Sequence, residues 1–235
     1  MEKNHPHAYG IGYAAYVPDA QMAVFSDGVS GDVGFPFRVF PAGRRPDYFV
    51  VREADPRDRN DGLIGYDLGS ELAARTAAEK ARDQFGIVMT GSLLLMDDPE
   101  HRARILFFPV GKDASFRGWV FLRYRGEDLF KGILAPESPI AFQVFDGPSL
   151  TREALFFDSH GPVRSGPGPR SGNWSHVQAI EAAGQYWTLN VTGLPGGAGP
   201  KAGSGRTFRS LAALVLAGSG FFGILLLGGS EWRAK

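Results

Sequence analysis

The side chains that could carry out chemistry are few in this sequence, and they are not arranged as a catalytic set. Ser159 and His160 are adjacent, but neighbours in sequence do not form the spatial arrangement that nucleophilic catalysis requires. His5 and His7 could bind a metal ion as a pair, although their position at the terminus favours a disordered end. The absence of cysteine excludes disulfides, Cys-ligated zinc and a cysteine nucleophile. We therefore expect recognition rather than enzymatic catalysis, with no catalytic residue, no metal site and no cofactor.

Two further segments have the composition of ligand-binding loops. Residues 97–100 (DDPE) are acidic and could hold a cation, but their turn-like context favours a solvated loop. Residues 193–205 (GLPGGAGPKAGSG) are as glycine-rich as a phosphate loop, yet they lack the Gly-Lys-Ser/Thr end that such a loop needs. We interpret this second segment as a flexible linker.

Composition limits the partners. The sequence has 235 residues, of which 43% are hydrophobic, which is enough for one or two domains with real cores. Lys plus Arg and Asp plus Glu both number 25, so net charge gives no reason to expect nucleic acid as a partner.

One long helix stands out among several short strands. Residues 67–85 are rich in Ala, Glu, Arg and Lys, with apolar residues at helix-compatible spacing. Ser70 can act as the N-cap and Gly86 can end the helix, which gives a length of about 15 residues. Residues 52–62 have the composition of a loop. Apolar and aromatic runs predict strands over residues 11–17, 48–51, 87–90, 93–96, 105–110, 118–124, 140–146, 154–157 and 186–191, and a second helical segment over 126–134. This pattern predicts an α+β fold with an antiparallel sheet.

Residues 210–229 (SLAALVLAGSGFFGILLLGG) form the clearest membrane signal in the sequence. They contain no charged residue, and at about 1.5 Å per residue they match a hydrocarbon core of roughly 30 Å. A buried core helix is the alternative, which the length of the run disfavours. Trp232 is typical of an interfacial belt. The lysines and arginines on the two sides of the span are nearly balanced and tilt slightly towards a folded part inside the cell.

Small residues in this segment could bring two membrane helices together. Ser219 and Gly223 form one small-xxx-small pair, and Ala213 and Ala217 form another. A homodimer contact is one interpretation. The other, which we slightly favour, is that small residues are simply common in membrane helices.

Several linked motifs resemble a known sensor family. Residues 37–51 (FRVFPAGRRPDYFVV) and 63–91 (LIGYDLGSELAARTAAEKARDQFGIVMTG) are followed by FFPV (107–110), RGWVFLRYRGEDLFKGIL (117–134) and the weaker GQYWTLNV (184–191). In this order they resemble the CHASE sensor domain family. The residues that match its helix-to-strand fingerprint are Gly65, Tyr66, Asp67, Leu68, Ser70, Glu71, Arg75, Ala78, Ala81, Arg82, Asp83, Gly86 and Thr90.

The resemblance implies an extracytoplasmic ligand sensor built from PAS-like α/β modules. Family members are receptor histidine kinases, diguanylate cyclases and related signalling proteins, in which the sensor lies between two membrane helices. The N-terminal membrane helix and stalk helix of the family and a cytoplasmic output domain are not in this sequence, so we expect a fragment or truncated product. A large domain crosses a membrane largely regardless of the charge of its loops. The slight charge bias towards a folded part inside the cell is therefore compatible with an extracytoplasmic sensor.

We expect six segments along the chain. They are a disordered start (1–10), a CHASE-like sensor core (11–134), a membrane-proximal completion of the sensor (135–192), a Gly/Pro-rich linker (193–209), a transmembrane helix (210–229) and a short tail (230–235).

The resemblance also suggests ligand-binding residues. In plant cytokinin receptors, an Asp on the fingerprint helix anchors the adenine-like ring, and the aligned position here is Ala74, so binding of that kind is not expected. Thr90 matches a family Thr beside the pocket, although its hydroxyl could equally satisfy a nearby backbone group. Met89, Leu93, Phe107 and Tyr124 could line an apolar pocket, or be ordinary core residues. Tyr66, Asp67, Ser70 and Glu71 are interpreted as structural links between strand and helix.

The sequence therefore predicts a single-pass membrane sensor with its folded part in the periplasm or outside the cell. Its expected partners are an unknown small-molecule ligand, membrane lipid and a possible second copy, with no nucleic acid. One alternative is a non-signalling, membrane-anchored binding or remnant protein. A membrane-bound hydrolase is another alternative, which no constellation of residues supports.

Overall fold

A computed structural model describes residues 9–33, 36–130, 140–161, 174–182 and 185–194. The chain divides into two compact units. The N-terminal unit comprises Ala8–Tyr124, and the described residues from Arg125 onward belong to the C-terminal unit. Within the described ranges, no helix combines the length and the apolar character needed to cross a membrane. The predicted membrane segment (210–229), linker (193–209) and tail (230–235) lie wholly or almost wholly outside these ranges.

The N-terminal unit is organised around a six-stranded sheet. Its strands run in the order β2-β1-β6-β5-β3, and β4 pairs with β5 at one end. β1 is antiparallel to both β2 and β6, and β5 is antiparallel to both β3 and β4. The strands are β1 (Gly10–Pro18), β2 (Asp47–Asp55), β3 (Val88–Met89), β4 (Leu93–Leu95), β5 (Asp98–Val110) and β6 (Gly118–Arg125).

One face of this sheet is covered by the helix that the sequence predicts. The helix (Leu72–Gln84) is the third α-helix of the chain, after α1 (Met22–Val33) and α2 (Arg57–Asn60), and is named α3. Its buried side chains are all alanines, at positions 74, 77, 78 and 81, so its backbone can approach the strands closely. The indole Nε1 of the fully buried Trp119 donates a 2.8 Å hydrogen bond to the Ala78 carbonyl, which fixes the helix on β6.

The ends of α3 differ from the prediction. Residues Leu68–Ser70 form a separate 3-10 turn, and Glu71 is the N-cap, without a side-chain cap bond. The prediction of Ser70 as N-cap is therefore wrong, because the capping carboxylate of this region, Asp67, caps the 3-10 turn instead. At the other end Phe85 adopts the left-handed conformation, and the Gly86 N–H closes the helix on the Ala81 carbonyl at 3.0 Å.

Asp67 joins the 3-10 turn to the central part of β2, as the sequence interpretation expected. Its carboxylate is fully buried, and Oδ1 accepts hydrogen bonds from the Phe49 N–H (2.8 Å) and the Gly69 N–H (2.9 Å). Arg45 Nη1 lies 3.5 Å from Oδ2. Burial raises the pKa of Asp67, and the two N–H donors and Arg45 oppose that rise.

Helix α1 was not predicted. It packs Phe25 and Val29 against the opposite sheet face, next to Phe37, Tyr48 and Val50. Gly28 and Gly31 lie inside it, and glycine is among the weakest helix formers, so propensity gave no signal. Packing against an apolar sheet face stabilises this helix instead.

Two predicted loops contain regular structure. Residues 52–62 were expected to form a loop, but β2 continues to Asp55, because it pairs with β1 as far as Ile11, and α2 and a 3-10 turn follow. The acidic run at 97–100 is only partly a turn, since β5 already begins at Asp98. Asp98 is buried, with His101 Nδ1 at 2.7 Å from its carboxylate.

The C-terminal unit contains a second antiparallel sheet of four strands in the order β8-β7-β10-β9. A short helix, α4, precedes them, and aromatic residues on one side (Phe130, Phe142, Phe157 and Trp187) pack together. Strand β9 was not predicted. The elements are α4 (Gly126–Phe130), β7 (Ile140–Asp146), β8 (Leu155–Asp158), β9 (Trp174–Ala182) and β10 (Gln185–Gly193). The expected combination of α-helices and antiparallel sheets is confirmed, and the boundary near residue 134 stays a prediction.

Replacing Asp67 by Ala tests the link between β2 and the 3-10 turn. The variant leaves two buried N–H groups without an acceptor, so we expect the free energy of unfolding to fall by roughly 2–4 kcal/mol. Urea denaturation measures it. The matched control is Asp58→Ala, which removes an exposed carboxylate from the same unit and should change stability by less than about 0.5 kcal/mol. Equal effects of the two substitutions would contradict this role of Asp67.

Candidate functional site

Two of the six predicted ligand-binding residues lie on the wall of one cavity in the N-terminal unit. Ala74 contributes from α3 and Leu93 from β4. The cavity lies on the sheet face that α3 covers, at the edge where β4 folds against β5. Its other lining residues are Leu63, Tyr66, Leu68, Glu71, Leu94, Leu95, Met96, Asp97, Ile105 and Arg123.

Met89 and Phe107 lie on opposite faces of the sheet. In the β3–β5 pairing Val88 is opposite Phe107, and Met89 is opposite Leu106. Directly opposed residues share a face, so the one-residue offset separates Met89 from Phe107. Phe107 packs in the core with Trp119, their ring centroids 6.3 Å apart, and is not part of the cavity wall.

Thr90 and Tyr124 are also buried away from this wall. The Thr90 hydroxyl accepts a 3.0 Å hydrogen bond from the Ile105 N–H. This contact is the alternative role considered for Thr90, in which its hydroxyl satisfies a nearby backbone group. Burial raises the pKa of Tyr124 to about 12. The ligand-binding role of the six residues stays a prediction, and the structure brings only Ala74 and Leu93 together.

A buried arginine is the strongest electrostatic feature of the cavity. Arg123 comes from β6, and its side chain is 1% exposed. Its Nη1 donates a 2.6 Å hydrogen bond to Asn60 Oδ1, and its Nη2 donates a short bond to Asp97 Oδ1. The guanidinium also lies 4.9 Å from the centre of the Tyr9 ring. Because an unpaired buried charge is very costly, these contacts fix the arginine in one geometry.

Neighbouring residues hold Asn60 as tightly as they hold Arg123. Asn60 is 1% exposed, and its Nδ2 donates a 2.8 Å hydrogen bond to the Pro56 carbonyl. A β-carbon at Gly10 would lie 2.5 Å from Asn60 Oδ1, so only glycine leaves space for this amide. The Arg123–Asn60 hydrogen bond therefore joins β6 to α2, and the start of β1 packs against the same amide.

The two carboxylate oxygens of Asp97 differ in their contacts. Oδ1 is occupied by Arg123, while Oδ2 is buried and has no hydrogen-bond partner among the described residues. Asp97 lines the cavity, as does Glu71, so the wall carries two carboxylates and one guanidinium. A buried oxygen without a donor costs about 1–3 kcal/mol or more, and an N–H group entering the cavity would remove that cost.

Sequence reasoning missed Arg123 and Asn60, although a signal for the arginine was present. Trp119, Phe121 and Arg123 alternate along β6, and residues two apart in a strand point to the same face. An arginine that continues a buried Trp-x-Phe pattern must be paired, which marks it as a candidate. Asn60 lay in a segment interpreted as a loop.

The cavity is small in this conformation. Its volume is about 20 Å³, room for about one water-sized group. In the described ranges no group of three or more His, Asp or Glu residues is arranged to hold a metal ion. The wall of the cavity can offer hydrogen bonds and charge to a ligand.

The CHASE domain family matches residues 1–157, well over half of the sequence. This chain belongs to the CHASE domain family. The match begins before the N-terminal unit and extends into β8 of the C-terminal unit. The resemblance seen in the sequence is thus confirmed, and with it the class: CHASE domains are sensor domains of membrane receptors rather than catalytic domains.

Several solved structures have a distant likeness to this chain. An extracellular ligand binding receptor from Desulfohalobium retbaense DSM5692 has 13% identity over 79% of this chain, with a TM-score of 0.44. This chain spans only 30% of the length of that receptor. A methyl-accepting chemotaxis protein X has 11% identity over 81% of this chain and 76% of its own, with a TM-score of 0.46.

A third solved structure is the ligand-binding domain of an amino acid chemoreceptor of Pseudomonas aeruginosa PAO1 in complex with GABA. It has 10% identity over 79% of this chain and 74% of its own, with a TM-score of 0.36. At these TM-scores the likeness carries no conclusion about this CHASE chain or its ligand. No curated protein matches the sequence.

Replacing Arg123 by Leu tests whether the buried network holds the cavity wall. The change leaves the mostly buried Asp97 carboxylate without its cation, so we expect a loss of about 3 kcal/mol in the free energy of unfolding. The double variant R123L/D97L should recover part of that loss, because no lone charge remains. Urea denaturation measures both. Arg102→Leu, on the neighbouring strand and only partly buried, is the control; a loss as large as that of R123L would contradict the network.

Proposed function

We propose that this chain is the ligand-sensing region of a membrane receptor, and that its ligand binds at the cavity bordered by Asp97 and Arg123. Membership of the CHASE family supports the general role. The specific site rests on one observation, the buried Asp97 Oδ2 that has no donor among the described residues.

The chemistry of the wall selects the ligand class. Arg123 is already committed to Asn60 and Asp97, so it has little capacity left to attract an anion. Asp97 Oδ2 and the Glu71 carboxylate can both accept hydrogen bonds from a ligand, and their negative charge favours a positively charged one. The remaining wall is mainly aliphatic, with Leu63, Leu95 and Ile105 among its members. A small molecule with an amine or N–H group on an apolar body meets these requirements.

A ligand larger than one water-sized group requires the cavity to open. The element best suited to move is the β4–β5 hairpin, because β4 has only three residues and its pairing with β5 shifts register between Leu94 and Leu95. Leu94 and Met96 are about half exposed on this hairpin. A ligand that binds only the open form shifts the population towards it, which is the requirement for a sensor.

The signal would then pass through the transmembrane helix proposed at residues 210–229 to a cytoplasmic output domain. Under this proposal the sensor lies in the periplasm or outside the cell, and residues 210–229 cross the membrane once. The alternative of a membrane-anchored binding protein that does not signal makes the same prediction for ligand binding and differs only in output.

Matched small probes test the proposed ligand class. Isobutylamine and isobutyrate share a carbon skeleton but carry opposite charges. We expect isobutylamine to raise the melting temperature of the full-length chain and isobutyrate to leave it unchanged, since a ligand at about 100 times its Kd stabilises by about 2.7 kcal/mol. The variant Asp97→Asn should lose this response, because the amide presents a donor or a weaker acceptor to the amine.

Asp58→Asn is the control for that experiment, because Asp58 is exposed and does not line the cavity. It should respond to isobutylamine as the unmodified chain does. A thermal shift that persists in the Asp97→Asn variant, or an equal shift with isobutyrate, would show that the amine is not recognised by Asp97.

Charge substitutions test the membrane anchor. The double substitution Leu216→Arg and Phe221→Arg places two charges near the middle of residues 210–229, each costing about 2.5–3.5 kcal/mol on insertion. We expect this variant to be released from membranes by alkaline carbonate, while the unmodified chain stays in the pellet. Ser204→Arg with Thr207→Arg adds the same charge outside the segment and should also stay in the pellet. Equal extraction of the two variants would argue against a span at 210–229.

A further inference from the structure

A second concave site lies in the N-terminal unit and shares no lining residue with the Asp97 cavity. It is an open cleft of about 860 Å³, within the usual size range of small-molecule sites. Its walls come from the end of β1, the C-terminal end of α3 and the connection between β5 and β6. No role has been assigned to it by the family fingerprint or by the proposed sensing site.

Aromatic side chains form part of the cleft. Tyr16, Phe85 and Phe116 all line it. The rings of Tyr16 and Phe116 lie 5.6 Å apart in a tilted arrangement, and Phe116 contacts the buried Trp119 edge-on at 4.9 Å. Phe116 is therefore held by the core while part of its ring remains accessible. Such a surface can accept another ring by stacking or edge contact.

Positive charge borders these rings. Arg82 lies 5.8 Å from the Tyr16 ring and is paired with Asp83 at 2.8 Å. Lys112 Nζ lies 5.6 Å from the Phe85 ring, and Arg117 Nη1 reaches only the neighbouring Phe116 carbonyl, at 3.3 Å. In the described part of the chain, neither Lys112 nor Arg117 forms an ion pair with a carboxylate.

Acidic residues of the cleft neutralise only part of its positive charge. Besides Asp83, which is committed to Arg82, the cleft contains Asp113. Three cationic and two acidic side chains leave one net positive charge, carried by groups whose donors are available. Arginine and lysine in this state are the usual partners of carboxylates and phosphates.

Several residues in or beside the cleft have unusual backbone conformations. Among the described residues, Phe85 (φ 45°) and Asp113 (φ 49°) are the non-glycine residues with positive φ, and both line the cleft. Gly111 has φ 77°, and a β-carbon there would lie 2.1 Å from the Ser115 carbonyl oxygen. Hydrogen bonds of 2.7–3.0 Å between Lys112 and Ser115 close the same turn. The cleft is thus bordered by a turn whose backbone is closed by hydrogen bonds and from which the exposed Lys112 side chain extends.

We propose that this cleft binds an organic anion that carries an aromatic ring. The ring packs against Phe116 and Phe85, and the carboxylate or other acidic group meets Lys112 and Arg117. The site is independent of the amine-binding cavity, so one CHASE unit recognises two ligands of opposite charge.

Titration calorimetry of the full-length chain with three simple probes tests the proposal. Benzoate has both the ring and the charge, acetate has the charge alone, and benzylamine has the ring with the opposite charge. In the Asp97→Asn variant, which should no longer bind amines at the other cavity, we expect benzoate to bind more tightly than either of the others. The double variant K112Q/R117Q should weaken benzoate binding about tenfold, the combined effect of losing two solvent-exposed charge contacts.

Two controls make the outcome specific. Lys80→Gln with Arg57→Gln removes two exposed cations outside the cleft and should leave benzoate affinity unchanged. Asp97→Asn should also leave it unchanged, which separates this cleft from the amine-binding cavity. The proposal is overturned if acetate or benzylamine binds the Asp97→Asn variant as tightly as benzoate does, if K112Q/R117Q keeps full benzoate affinity, or if Asp97→Asn abolishes benzoate binding.

Discussion

The close approach of α3 to the sheet is the constraint on which the N-terminal unit depends. Four alanines face the strands, and the Trp119 indole fixes the helix by a hydrogen bond to the Ala78 carbonyl. A larger side chain on that face would lift the helix and uncover Trp119, the largest fully buried side chain of the unit. Because α3 has 13 residues, or about 20 Å, its two ends reach two different regions of the sheet. Its first turns border the Asp97 cavity, and its last turn borders the aromatic cleft.

Buried polar contacts add further links between elements of this unit. Asp67 connects β2 to the 3-10 turn before the helix, and Arg123 connects β6 to Asn60 and to Asp97. Each of these charges is expensive to bury, and the hydrogen bonds of Asp67 Oδ1 and of the Arg123 guanidinium offset part of that cost. In the cavity wall, Asp97 Oδ2 has no hydrogen-bond donor among the described residues, and the proposed ligand with an N–H group rests on that atom.

Sequence patterns predicted the elements whose signals are local. The helix at 72–84 was found by its periodicity, and β1, β6 and β7 were found within one or two residues of their ends. Helix α1 and strand β9 were missed, since their stability comes from packing and pairing rather than from propensity. The predicted ligand residues include Met89 and Phe107, which the one-residue offset of the β3–β5 pairing places on opposite faces of the sheet.

The sequence by itself determined the sensor family, the class of fold and the structural role of Asp67, because ordered motifs and hydrophobic periods are properties of the chain alone. Only the tertiary structure decided which side chains meet. Asn60, Asp97 and Arg123 meet although each is at least 26 residues from the next along the chain. The cleft likewise joins the end of β1 to a turn about a hundred residues later. Such contacts are set by sheet order and register, which depend on long-range pairing that no local pattern encodes.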